Sequence, residues 1–130
     1  MPHVVIDGHC DLRGYARDLP MLLLRLPGGD LLRTQAVFVE REGRALLIDA
    51  LAIESGRKTP FFVRVQAHDD GRLSVRVDPG SQVERTDGVK RIVAEIGADL
   101  LAQTTGASVR VTNLVLPSPP GQLRGDPISG

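Results

Sequence analysis

Residues 87–106, DGVKRIVAEIGADLLAQTTG, constrain the fold more than any other stretch of the chain. Most of what precedes them alternates like strand, and they alone carry an unambiguous helical period. Val89, Ile92, Val93, Ile96 and Leu100 recur at three- and four-residue spacing, which at 3.6 residues per turn makes one narrow apolar stripe. Asp87 is placed to cap the first free N–H groups, and Gly106 to take the left-handed conformation that ends a helix. Lys90, Arg91, Glu95 and Asp99 fall off the stripe and are expected in water. Gly97 sits at its edge, where the missing side chain allows close backbone approach. Burying the stripe is worth roughly 1.5–3 kcal/mol per side chain, and a lone helix of this length is marginal in water. It needs a sheet as its partner.

Two hairpins supply that sheet. In residues 62–77 an Asp70-Gly71 two-residue turn would set Val65 against Arg76. A three-residue loop with Gly71 left-handed instead pairs Ala67 with Leu73, Val65 with Val75 and Val63 with Val77. Register follows the hydrophobic pattern, so the longer loop is expected. The same rule at Gly43 sets Phe38 opposite Leu46 and Glu40 opposite Arg44. The second hairpin then has one apolar face and an opposite face of Arg64, Gln66, His68, Arg72, Ser74 and Arg76. The first is apolar on both faces except for Asp49 and the pair beside its turn, so it is expected to be covered on both sides or to lie under early helices. Residues 56–60 read as a link between the two.

Residues 3–12 alternate as a half-buried strand, broken or curved near Gly8. In residues 13–27, Asp18 before Leu19-Pro20 resembles a cap, the following leucines are not β-branched, and Pro27-Gly28-Gly29 is a stop; short helices are expected there rather than a strand. Residues 108–112 read equally as an edge strand or a surface extension. From Pro117 the prolines and glycines point to a disordered tail, leaving residues 1–116 as one domain. A chain of 130 residues can close a single core without disulfides or metals.

Charge and cysteine usage narrow the setting. Lys+Arg and Asp+Glu are 16 each, which argues against a nucleic-acid or anionic-membrane partner. Cys10 is the only cysteine, so a reducing compartment is expected, and no basic segment followed by an apolar run marks a signal peptide. The apolar cluster at residues 21–26 is broken by Arg25 and stopped by Pro27, too short to span a bilayer. The expected location is cytoplasmic.

The sharpest local motif is Ile6-Asp7-Gly8-His9-Cys10-Asp11-Leu12, which is similar to the Asp-Gly-His-x-Asp-Leu metal-binding stretch of renal-dipeptidase-type amidohydrolases. On a strand, His9 and Asp11 would share a side with His3 and Asp7. Such enzymes are barrels of about 250 residues, and His68 is the only other histidine here. A solvated strand face is the preferred reading, so no metal, cofactor or catalytic residue is assigned. Arg64 opposite Arg76 is repulsive unless an acid or ligand intervenes. That face has no aromatic side chain for stacking bases, which favours an exposed surface or a subunit contact. Asp49 is either a polar anchor inside a cavity or a residue at a strand end. Cys10 reads as a small core residue.

The order of elements is strand, short helices ending at Leu26-Pro27, antiparallel hairpins and one amphipathic helix. With Tyr15-Ala16-Arg17-Asp18-Leu19-Pro20, it resembles the helix-grip fold of the START and Bet v 1-like superfamily over roughly residues 3–105. Five strands are counted where that fold commonly has seven. The resemblance implies an α+β fold: a curved antiparallel sheet packed around one C-terminal amphipathic helix, with short helices after the first strand. Its members include lipid carriers, cyclases and chaperone regulators, so it implies a shape more than a task. Three functions follow as expectations, the first two of them non-enzymatic. The first is binding of an apolar small molecule between sheet and helix, with Phe38, Asp49, Val65, Val75, Ile92 and Ile96 as candidate ligand-binding residues. The second is an interaction module, possible as a homodimer, using the arginine-bearing sheet face. The third is a metal-dependent hydrolase at His9 and Asp11.

Overall fold

The computed structural model describes residues 1–117. The elements are β1 (His3–Asp7), α1 (Leu12–Asp18), β2 (Leu23–Arg25), β3 (Leu31–Val39), β4 (Ala45–Glu54), β5 (Arg57–Ala67), β6 (Arg72–Val77), α2 (Asp87–Gln103) and β7 (Ser108–Thr112). Beyond residue 117 the expected tail lies outside the described residues. The strands form one curled antiparallel sheet in the order β2-β3-β4-β5-β6-β1-β7, with α2 against β1, β3, β4 and β6 on its inner side. The chain is therefore α+β as expected, and the architecture is compatible with a helix grip. No helix among the described residues is long and apolar enough to cross a membrane.

The β5–β6 register is the expected one, with Val65 opposite Val75 and Val63 opposite Val77. The β3–β4 register differs by one residue: Phe38 lies opposite Leu47, and Val39 opposite Leu46. The cause is the turn. Glu40 accepts N–H bonds on its carboxylate from Glu42 at 3.0 Å and Arg44 at 3.1 Å, which organises a four-residue loop instead of a Glu40–Arg44 pair. These two hydrogen bonds hold the Glu40 carboxyl below its ordinary pKa. A bulge between Thr34 and Ala36 restores inward alternation, so Leu32 and Thr34 are buried.

Residues 57–60 are strand rather than link. Ser55 and Gly56, at φ 52° and 78°, make a two-residue turn that joins β4 to β5 as a further hairpin. Pro60 is tolerated because β6 pairs with β5 only from Val63 onward, so the missing N–H faces no ladder. In residues 13–27 only α1 is helical, and Asp18 ends it. Leu22 donates its N–H to Thr34 Oγ1 at 2.9 Å and accepts from Thr34 N at 3.0 Å, drawing the leucines onto the β3 edge as β2. Tertiary pairing overrides their helical propensity. Residues 108–112 are the edge strand β7, antiparallel to β1, with Arg110 Nε 2.9 Å from Asp7 Oδ1.

The helix α2 starts at Thr86 as its cap, with Asp87 in the first turn. Thr86 Oγ1 accepts from Val89 N at 3.2 Å and donates to Glu54 Oε1 at 2.5 Å, while Gly88 N donates to Glu54 Oε2 at 2.9 Å. A carboxylate from the end of β4 thus occupies the positive end of the helix. A Cβ on Gly88 would meet Glu54 Cδ at 2.6 Å, so glycine is what lets the strand end reach the helix. Glu54→Ala is expected to lower unfolding free energy by about 1–3 kcal/mol. Urea titration checks this, and an unchanged midpoint would exclude the cap.

The stripe is wider than its sequence spacing suggests. Glu95 and Asp99, expected in water, are 3% and 1% exposed. Tyr15 of α1 donates its hydroxyl to Asp99 Oδ2 at 2.7 Å, and Arg91 Nε lies 2.8 Å from Glu95 Oε2. Both carboxylates reach hydrogen-bond donors, which is what makes their burial tolerable.

Candidate functional site: the outer face of the sheet

Two faces of the sheet meet different surroundings. On the inner face Val65, Val75 and Ile92 are fully buried and Ile96 is 1% exposed. They belong to one continuous core with Val4, Ile6, Val63 and Leu100. None of these four candidates lines a surface cavity described below. Phe38 and Asp49 lie elsewhere. Strand alternation puts both on the outer face, so the six candidate residues do not converge on one site.

The outer face can be written out from the register. One row across the strands runs Phe38, Leu47, Arg64, Arg76, and the next runs Ala36, Asp49, Phe62, with Asp78 N–H bonded to Phe62 O. Beyond Asp49 lie Leu51 and Arg33. The Phe38 and Phe62 rings meet edge-to-face at 6.3 Å and 62°. Phe38 nevertheless remains 55% exposed and, with Val39, Leu47 and Arg64, borders a shallow cavity of about 260 Å³. Both described helices pack on the inner side. Of the two expectations for the first hairpin, it lies under the early helix α1, which packs on β3 and β4, and among the described residues it is not covered on both sides.

Polar groups on this face are specific. The Arg64–Arg76 opposition is relieved by an acid, as the sequence required: Arg64 Nη1 lies 3.5 Å from Asp78 Oδ1, and Arg64 Nε donates to Gln66 Oε1 at 3.0 Å. Asp49 sits in mid-strand on the open face, neither inside a cavity nor at a strand end, and accepts from Gln35 Nε2 at 3.0 Å. Among the described residues Asp49 has no cationic partner, and Arg33 and Arg76 have no anionic one.

The His9–Asp11 segment makes a different place. The strand ends at Asp7, Gly8 N–H bonds to Gly71 O at 2.9 Å, and Asp11 already stands at the start of α1. His9 and Asp11 therefore leave the strand on which they were expected to share a side. Cavities of about 320 and 350 Å³ flank the segment, one reaching Tyr15 and Thr104, the other His68 and Arg72. Among the described residues no three His, Cys, Asp or Glu side chains are grouped to hold a metal ion. Burial pushes the Cys10 thiol above its ordinary pKa, a hydrogen bond with Thr104 opposes this, and the Asp11 charge adds to it. A thiol so placed is a poor nucleophile. Iodoacetamide is expected to alkylate Cys10 at neutral pH more slowly than an unstructured thiol, with the rate still rising above the ordinary thiol pKa. A plateau reached below that pKa would contradict the assignment.

The sequence points to Phe38 and Asp49 as ligand-binding candidates between sheet and helix, with a strand end as the alternative for Asp49; both lie instead on the outer face. The signal for their true position was the run of apolar residues on both faces of β3 and β4, which a sheet with helices on one side cannot cover. No family model matches the chain, and no curated protein or solved structure is significantly similar to it.

Proposed function

We propose that this protein is a non-enzymatic interaction module whose working surface is the outer face of β3, β4 and β5. The observation that carries the reading is the exposed Phe38, set with Leu47 and Phe62 on a face that no element among the described residues covers, while the helix–sheet contact is filled by its own side chains. An apolar surface rimmed by polar groups is the usual form of a protein contact. Asp49 and Arg64 within it supply orientation.

A photoreactive phenylalanine analogue at position 38 tests this in cells expressing the chain. Position 115 serves as the control, because Val115 is 92% exposed but lies after β7, away from this face. Protein adducts are expected at position 38 and not at position 115. Equal labelling at both positions, or no protein adduct at either, would overturn the reading.

A further inference from the structure

We infer that the occupant of the outer face is a second copy of this chain, related by a two-fold axis; this rests on the face being an interaction surface. The first argument is the mixture of charge. Among the described residues Asp49 lacks a cation while Arg33 and Arg76 lack an anion, all on the same face, and Arg64 is held by Asp78 and Gln66. A uniformly acidic partner would set like charge against Asp49, and a uniformly basic one would do so at three arginines. An identical face carries both signs and satisfies both needs.

The second argument is the register. A two-fold axis running across the strands, midway between the Leu47–Arg64–Arg76 row and the Asp49–Phe62–Asp78 row, lays each row on the other row of the partner. β4 then faces β4 and β5 faces β5. Arg64 lies over the partner's Phe62, the placement a guanidinium prefers on an aromatic ring. The partner's Asp49 is one strand away, about 4.8 Å. Arg76 faces the partner's Asp78, Phe38 faces the partner's Ala36, and Leu47 faces the partner's Asp49. The unpaired charges are all brought to opposite charge except Arg33, which stays at the rim.

Leu47 gives the sharpest test, because it is on the surface and faces an acid only in this arrangement. Sedimentation of the full chain, from low micromolar to near-millimolar concentration, is expected to approach twice the 14.0 kDa chain mass. Leu47→Asp sets carboxylate against carboxylate and should raise the dimer dissociation constant about thirtyfold or more. Leu47→Arg sets a guanidinium there and should leave it within about threefold of the parent. Circular dichroism confirms that both variants keep the fold. Equal weakening by the two substitutions would overturn the two-fold arrangement. A parent chain that stays monomeric throughout would overturn self-association altogether. In that case adducts at position 38 would leave the interaction reading standing, and their absence would remove it as well.

Discussion

Ile96→Ala is expected to lower the unfolding free energy by about 2–5 kcal/mol. Ile96 is 1% exposed and projects from α2 into a core that includes Val4, Val65 and Val75, each fully buried. Its side chain therefore has packing partners on all sides, and truncation removes both transfer energy and dispersion contacts. A chamber awaiting a ligand would respond differently. There the isoleucine would already border a void, part of its contact shell would be missing, and truncation would cost about 1 kcal/mol or less. Urea titration with an unchanged slope distinguishes the two, and a loss below that figure would indicate an open interior.

Gly97→Ala tests the same contact from the side of steric excess. By helix propensity alone the substitution should stabilise α2 by about 1 kcal/mol. The packing opposes it, since a Cβ on Gly97 would stand 2.8 Å from Val4 Cγ2 and 3.2 Å from Val4 Cβ. Val4 has little room to move: it is fully buried in β1, which is hydrogen-bonded to β6 on one side and β7 on the other. The net expectation is a destabilisation of about 1–3 kcal/mol. Val4→Ala costs stability on its own, yet in combination it removes the closest contact, that with Cγ2. The double variant should therefore be more stable than the sum of the singles by about 1 kcal/mol or more. A stabilised Gly97→Ala chain, or strict additivity, would mean that the helix does not approach β1 as closely as this.

Much of this fold is legible in the sequence, because period and register are set by near neighbours. The α2 stripe, the β5–β6 pairing and the break at Gly8 each follow from local pattern and turn chemistry. The misreadings come from side-chain contacts that period and pattern do not encode, one of them within a loop and the others between distant segments. The one-residue difference in the β3–β4 register comes from the Glu40 carboxylate bonding to its own loop. Residues 23–25 are strand because Thr34, twelve positions from Leu22, holds the segment at the sheet edge. Glu95 and Asp99 have the spacing of solvated residues, and Asp99 is buried beneath a tyrosine 84 positions away. Apolar residues on both faces of β3 and β4 were visible from the start. What the sequence does not contain is which of those faces the helices would leave bare.

The central claim is that the outer face, and not the space between sheet and helix, is where this protein meets its partner. Native mass spectrometry of the full chain tests that most directly. The account predicts species at the mass of the bare chain and at twice that mass, with no small molecule retained. A persistent adduct of a few hundred daltons, lost when Ile96 is enlarged to phenylalanine but kept when Phe38 is changed to aspartate, would contradict it.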